Sequence, residues 1–81
     1  MTADEVKRLI EKGMPGAIVQ VSGDGGKFEA VVVSPAFEGL SMIKGHQLVY
    51  GTVQTEIASG TVHALSIKAY TPAEWGQLTS A

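Results

Sequence analysis

Two histidines have the widest choice of chemistry in this sequence, because an imidazole can bind a metal or transfer a proton near neutral pH. His46 is expected within a helix, whereas His63 is expected where the last strand begins. Two histidines that share a metal usually lie three or four residues apart on a helix, or converge in space. The sequence alone does not decide whether these two converge, and an isolated histidine more often has a structural role.

Groups that could complete an enzyme active site are scarce. The chain contains no cysteine, which excludes thiolate catalysis and disulfide bonds. No serine lies in the Gly-x-Ser-x-Gly pattern of a nucleophile elbow. Asp24 is expected to accept backbone N–H groups in a turn, and Glu5 and Glu74 are expected to cap helices. The sequence therefore does not favour an enzyme.

The composition is that of one small globular domain covering residues 1–81. Of these residues 44% are hydrophobic and 17% are charged, and the length leaves no room for a second core. Six basic against eight acidic residues give a net charge of −2, which disfavours general binding to phosphate backbones. The acidic first residues do not resemble a signal peptide, and no segment approaches the roughly 18 apolar residues of a membrane span. We therefore expect a cytoplasmic protein that does not associate with membranes.

Local signals predict a helix near each end of the chain. Thr2 and Glu5 have the spacing of a capping box, which predicts a first helix of about ten residues. Gly13 is expected in the left-handed position that ends this helix. A second capping box, at residues 71–74, predicts a short terminal helix that carries Trp75.

A longer helix is expected in the second half of the chain. Ser41 is a suitable N-cap, and one continuous helix is predicted from there to about Ala58. Gly45 and Gly51 each cost about 1 kcal/mol relative to alanine, so this helix depends on packing. Six residues are expected to line one side of it: Ile43, Gln47, Tyr50, Val53, Gln54 and Ile57.

Three segments rich in β-branched residues are predicted as strands, at residues 17–22, 27–34 and 62–70. The first two are separated by Gly23-Asp24-Gly25-Gly26, which is typical of a hairpin turn. The element order is therefore α-β-β-α-β-α. The predicted fold class is α+β, with a three-stranded mixed sheet and helices packed on one of its faces.

Several short motifs, each weak alone, form a specific series that covers nearly the whole chain. They are Phe37-Glu38-Gly39-Leu40-Ser41, Lys44, His46, Val49-Tyr50, Val62-His63-Ala64-Leu65 and Thr71-Pro72-Ala73-Glu74-Trp75. In this combination the sequence resembles the BolA family, and residues 21–25 and 66–75 are most similar to its IbaG-type branch. The resemblance implies a class II KH-like fold, in agreement with the element order read from the residues.

The resemblance also implies a function. BolA-like proteins bind monothiol glutaredoxins and share a [2Fe–2S] cluster with them, in iron–sulfur delivery or iron signalling, and the isolated chain is expected to bind no cluster. His63 matches the family's histidine ligand. The thiolate ligands are expected from the glutaredoxin cysteine and from glutathione, because this chain has none. The surface that contacts the partner is expected to include His63, Tyr70 and Trp75.

The position of a second family ligand differs in this chain. Many family members have a histidine or cysteine in the loop between the first two strands, where this sequence has Lys27. A protonated lysine has no lone pair to donate to iron. His46 is a possible second ligand. Docking on glutaredoxin without any cluster ligation is an alternative that Lys27 favours.

The resemblance implies DNA-binding transcriptional regulation as the alternative function. The family's long helix and the turn before it are the implied DNA-contacting surface, which corresponds here to Lys44 and His46. Gly45 and Gln47 replace two arginines of the family pattern, and arginines are the side chains that best contact phosphates and base edges. Any DNA binding is therefore expected to be weak. The chain is expected to be a monomer or a weak homodimer.

Overall fold

The computed structural model describes residues 1–80, and its first helix starts at the predicted cap. Helix α1 spans Ala3–Gly13. The Thr2 N–H donates to Glu5 Oε1 at 3.0 Å, and the Glu5 N–H donates to Thr2 Oγ1 at 3.2 Å, which confirms the capping box. The hydrogen bond from Thr2 holds the pKa of the Glu5 carboxyl below its ordinary value, because it favours the ionised form.

Gly13 does not have the predicted left-handed conformation. It is the last residue of α1, and the glycine with positive φ lies three residues later, at Gly16. Gly13 instead permits close packing, because a Cβ built there would lie 2.5 Å from Thr52 Cγ2 in the second helix. Contact with a distant segment, rather than chain reversal, therefore explains this glycine.

The predicted hairpin and mixed sheet are confirmed, with small shifts of the strand ends. Strands β1, Ile18–Asp24, and β2, Lys27–Val33, are antiparallel, and β3, Ala64–Tyr70, pairs in parallel with β2 at the centre of the sheet. Asp24 pairs with Lys27, so the turn contains only Gly25 and Gly26, at φ of 60° and 82°.

The helices pack on one face of this sheet. The core includes Val6 and Ile10 of α1 together with alternate residues of the strands: Val19, Phe28, Ala30, Val32, Leu65 and Ile67. The interleaved residues Gln20, Glu29 and Lys68 are exposed. Burial on alternate positions is expected for a sheet with one covered face.

The prediction of one continuous helix up to residue 58 is wrong. Helix α2 spans Met42–Thr52 and helix α3 spans Gln54–Ala58, with a break at Val53. Thr52 Oγ1 donates to the Val49 carbonyl at 2.6 Å, while the Val53 N–H donates to Tyr50 O at 3.1 Å rather than to Val49 O, the α-helical acceptor one residue further back. The hydroxyl thus competes for the carbonyl that would continue the α-helical pattern.

Of the six residues expected to line one side of this helix, five are exposed and Val53 is fully buried. Ile43 is 70% exposed, and the residues of α2 that are buried are Gly45 and Val49. A Cβ built at Gly45 would lie 3.4 Å from the Phe37 ring and 3.9 Å from Ala69. The glycine that lowers helix propensity is therefore the residue at which α2 approaches β3.

The last helix, α4, spans Pro72–Thr79 and starts at the second capping box, as predicted. Between β2 and α2 the chain forms a single 3₁₀ turn, Pro35–Phe37. In the segment that the structure describes, no helix has both the length and the apolar character needed to span a membrane.

Candidate functional site

His63 lies directly before β3, beside the turn that connects β1 and β2. Its backbone N–H donates to Gly26 O at 2.7 Å, and the Ala64 N–H donates to the same carbonyl at 3.1 Å. The residue is exposed. The backbone of His63 is therefore fixed by the turn, while its side chain lies on the surface.

The imidazole ring of His63 lies against Gly26. A Cβ built at Gly26 would lie 2.5 Å from His63 Cδ2, 3.3 Å from Cγ and 3.5 Å from Nε2. Gly26 is buried, whereas its neighbour in the turn, Gly25, is exposed. The Cδ2 edge of the ring thus faces the turn, and Nδ1 lies on the far side of the ring.

The exposed His63 imidazole can donate one ligand to a metal. Within residues 1–80 the His63 ring forms no hydrogen bond, so a neutral imidazole there has a free lone pair. The same residues contain no group of three or more histidine, cysteine, aspartate or glutamate side chains that could enclose an ion. Any metal bound through His63 needs its other ligands from elsewhere.

Lys27 is the charged residue that the structure brings next to this site. It pairs with Ala64 in the parallel register, so its backbone lies beside the residue that follows His63. Its side chain is exposed. The two positions suggested by the sequence, in the loop and before β3, are therefore neighbours, although the ammonium of Lys27 offers no lone pair.

The structure does not bring His46 and His63 together. His46 is half-buried in α2, and its neighbour Gly45 packs on Ala69, near the opposite end of β3. The six residue steps from Ala69 to His63 correspond to about 20 Å at roughly 3.3 Å per residue. His46, which lies near Ala69, is therefore too far from His63 for the two to be ligands of one cluster.

Tyr70 and Trp75 are also distant from His63. Their ring centroids lie 5.5 Å apart with a tilt of 42°, and both residues are half-buried where β3 leads into α4. Seven residue steps, about 23 Å in a strand, separate Tyr70 from His63. A partner that contacts all three residues would have to extend along the whole strand.

Lys44 is exposed in the first turn of α2, with His46 half-buried behind it. No other cationic residue lies between Met42 and Thr52. This segment therefore offers one strong phosphate contact, and phosphate affinity depends on the number of such contacts.

Two further residues, Gly26 and Tyr50, shape the surroundings of His63. Gly26 appeared only as a turn residue, although it also lies under the His63 ring. Tyr50 is expected on one side of the helix, and its hydroxyl donates to Leu65 O at 2.8 Å, which connects α2 to the start of β3. The Gly-Gly pair of the turn was a visible signal for the first residue, whereas no local pattern indicates the second.

Comparison with known proteins decides the family. The model of the BolA-like protein family matches residues 10–74, which include both histidines and the turn. The chain belongs to the BolA family. Acid stress protein IbaG of Escherichia coli strain K12 is 42% identical over 77 residues, which are 95% of this chain and 92% of the relative.

Solved BolA structures confirm the fold. A BolA homologue from Coxiella burnetii superposes with a TM-score of 0.84 at 42% identity, covering 93% of this chain and 96% of that one. The BolA domain of SufE1 from Arabidopsis thaliana gives a TM-score of 0.75 at 38% identity, covering 89% and 93%. The family and the α+β architecture predicted from the motifs are therefore both confirmed.

Proposed function

We propose that this BolA protein is a non-enzymatic adaptor that docks on a monothiol glutaredoxin and supplies His63 as one ligand of a shared [2Fe–2S] cluster. Its role would be in iron–sulfur delivery or iron signalling. The observation that carries the proposal is the exposed His63 imidazole, whose backbone is anchored to Gly26 while its ring forms no hydrogen bond within residues 1–80.

The ligands that this chain can offer support a cluster shared with a partner rather than a cluster bound by this chain alone. Two irons need four terminal ligands, usually thiolates, and imidazole is an accepted replacement. The chain has no cysteine and, among its described residues, no cluster of ligand side chains. The remaining ligands would come from the glutaredoxin cysteine and glutathione. The cluster itself is the cargo, and this chain's contribution is one oriented imidazole and a docking surface.

His63 is a better ligand than His46 on two grounds. His63 is exposed and held by two backbone hydrogen bonds to one carbonyl, whereas His46 is half-buried in the middle of α2. Lys27 occupies the neighbouring position where many family members have a second ligand, so this chain would supply one ligand and not two. Glutaredoxin docking therefore has to bring the cluster to the end of the sheet that carries the turn.

The test uses a [2Fe–2S]-loaded monothiol glutaredoxin with glutathione, titrated with the wild-type protein, His63→Ala or His46→Ala. Visible circular dichroism and absorption report ligand replacement at the cluster. We expect the wild type and His46→Ala to change the spectrum, because both retain the ligand. We expect His63→Ala to leave the glutaredoxin spectrum unchanged even at saturating concentration.

Three results would contradict the proposal. Unchanged spectra in the presence of measurable binding would mean docking without ligation. A spectral change that depends on His46 would assign the ligand to the other end of β3. Tight and sequence-selective DNA binding at about 0.15 M salt, without glutaredoxin binding, would favour the transcriptional alternative.

A further inference from the structure

We propose that Gly26 is a positioning residue for His63. Because residue 26 has no side chain, the imidazole ring can lie against it, and this contact sets the direction in which the free edge of the ring points. This inference rests on the function proposed above, since it concerns how the same ligand is oriented. It assigns to Gly26 a role beyond that of a turn residue.

Two contacts between Gly26 and His63 act together. The Gly26 carbonyl accepts hydrogen bonds from the N–H groups of His63 and Ala64, which fixes the backbone of the histidine. The space that a Cβ would occupy on Gly26 is filled by the ring, with Cδ2 only 2.5 Å from that point. An alanine at residue 26 would therefore have to displace the ring.

The other glycine of the turn provides a natural comparison. Gly25 and Gly26 both have positive φ, at 60° and 82°, so an L-residue at either position is strained. A Cβ at Gly25 would meet nothing within 4 Å, whereas one at Gly26 would collide with His63. The Gly25→Ala variant therefore reproduces the backbone strain of Gly26→Ala without touching the imidazole.

A His63 ring that is held against Gly26 should favour ligation for two reasons. A ligand that is already oriented loses less rotamer freedom when it binds the metal. The turn also covers one side of the ring, which leaves the opposite side, with Nδ1, for the approaching partner. Groups that orient metal ligands commonly change metal affinity by roughly 10- to 100-fold when they are removed.

The test compares Gly26→Ala with Gly25→Ala in the full chain. NMR signals of the His63 ring protons report its position in the isolated protein, and His46 provides an internal reference in the same spectrum. We expect the His63 signals to shift in Gly26→Ala and to remain near the wild-type values in Gly25→Ala. With cluster-loaded glutaredoxin, Gly26→Ala should require a concentration about tenfold or more above that of Gly25→Ala to give the same ligation-dependent spectral change.

Ring signals that respond equally to the two variants would overturn the inference, as would equal spectral titrations with the cluster. If the wild type and His63→Ala behave alike with glutaredoxin, the proposed function fails, but the ring signals still decide whether Gly26 positions the imidazole. If Gly26→Ala does not fold, nuclear Overhauser contacts between the Gly26 Hα atoms and the His63 Hδ2 atom in the wild type decide it: their presence supports the inference and their absence overturns it.

Discussion

The two ends of β3 differ in what surrounds them. At its far end the backbone of Tyr70 accepts a hydrogen bond from the Ser34 N–H at 3.0 Å, its ring packs on Trp75, and Ala69 lies beside Gly45 of α2. At its near end the backbone is equally well fixed, to Gly26, but the His63 side chain is exposed. One strand thus combines a packed end that stabilises the fold with an open end at which the His63 side chain is exposed.

This difference separates two kinds of experimental effect. Substitutions at the packed end should change the free energy of unfolding, because they remove buried contacts. Substitution of an exposed side chain that forms no hydrogen bond, such as that of His63 at the open end, should change stability by less than about 0.5 kcal/mol. Ligation of the cluster should change with substitutions at the open end and should change little with substitutions at the packed end.

The largest effect on stability is expected for Phe37→Ala at the packed end. Phe37 is 6% exposed, and its ring lies against the backbone of Gly45. Loss of a buried phenylalanine side chain usually costs about 3–5 kcal/mol, through lost burial and the cavity left behind. Urea unfolding followed by tryptophan fluorescence measures this change, with His63→Ala as the matched control. Similar unfolding midpoints for the two variants would remove the distinction between the ends.

A smaller effect is expected for Trp75→Ala, which removes the partner of the Tyr70 ring. An aromatic pair contributes about 0.5–1.5 kcal/mol beyond burial, so we expect a loss of about 1 kcal/mol or slightly more. The involvement of Tyr70 and Trp75 in glutaredoxin docking stays a prediction, under which Trp75→Ala also weakens docking. At saturating concentration this variant should still give the full cluster spectrum, because His63 is intact. A lost spectrum at saturation would show that the ends are not independent.

A loss comparable to or smaller than that of Trp75→Ala is expected for Tyr50→Phe, whose hydroxyl forms a hydrogen bond near the open end. The substitution removes the hydroxyl that donates to Leu65 O at 2.8 Å and leaves the ring in place. Loss of such a hydrogen bond usually costs about 0.5–1.5 kcal/mol. Thermal unfolding by circular dichroism checks it, with Tyr70→Phe as a control, since no hydrogen bond of the Tyr70 hydroxyl occurs within residues 1–80. Equal losses for the two variants would contradict an anchoring role for Tyr50.

Local chemistry explains which parts of the fold could be predicted from the sequence. The capping boxes at Thr2 and Thr71 and the turn at Gly25 and Gly26 act between near neighbours, so their residues reveal them directly. The apolar residues at alternate positions of β2, Phe28, Ala30 and Val32, lie on its buried face, as the period of a strand requires.

Most of the failures involve contacts between distant segments, and one, the helix break, has a local cause. The expectations for Gly13 and Gly45 rest on conformational propensity, but each glycine permits close packing on another element. The break at Val53 arises from the Thr52 hydroxyl, which competes with the backbone for the Val49 carbonyl. The contact between the His63 ring and Gly26 depends on the parallel pairing of β2 with β3, which local sequence patterns do not specify.

The central claim is that a nitrogen of His63 binds the shared cluster, and pulsed EPR tests it most directly. The protein is labelled with ¹⁵N-histidine and mixed with unlabelled, cluster-loaded glutaredoxin, and the cluster is then reduced by one electron to its paramagnetic form. The account predicts a ¹⁵N hyperfine coupling of a directly bound imidazole in the wild type and in His46→Ala, and its loss in His63→Ala. A reduced cluster without ¹⁵N coupling in the wild-type complex would contradict it.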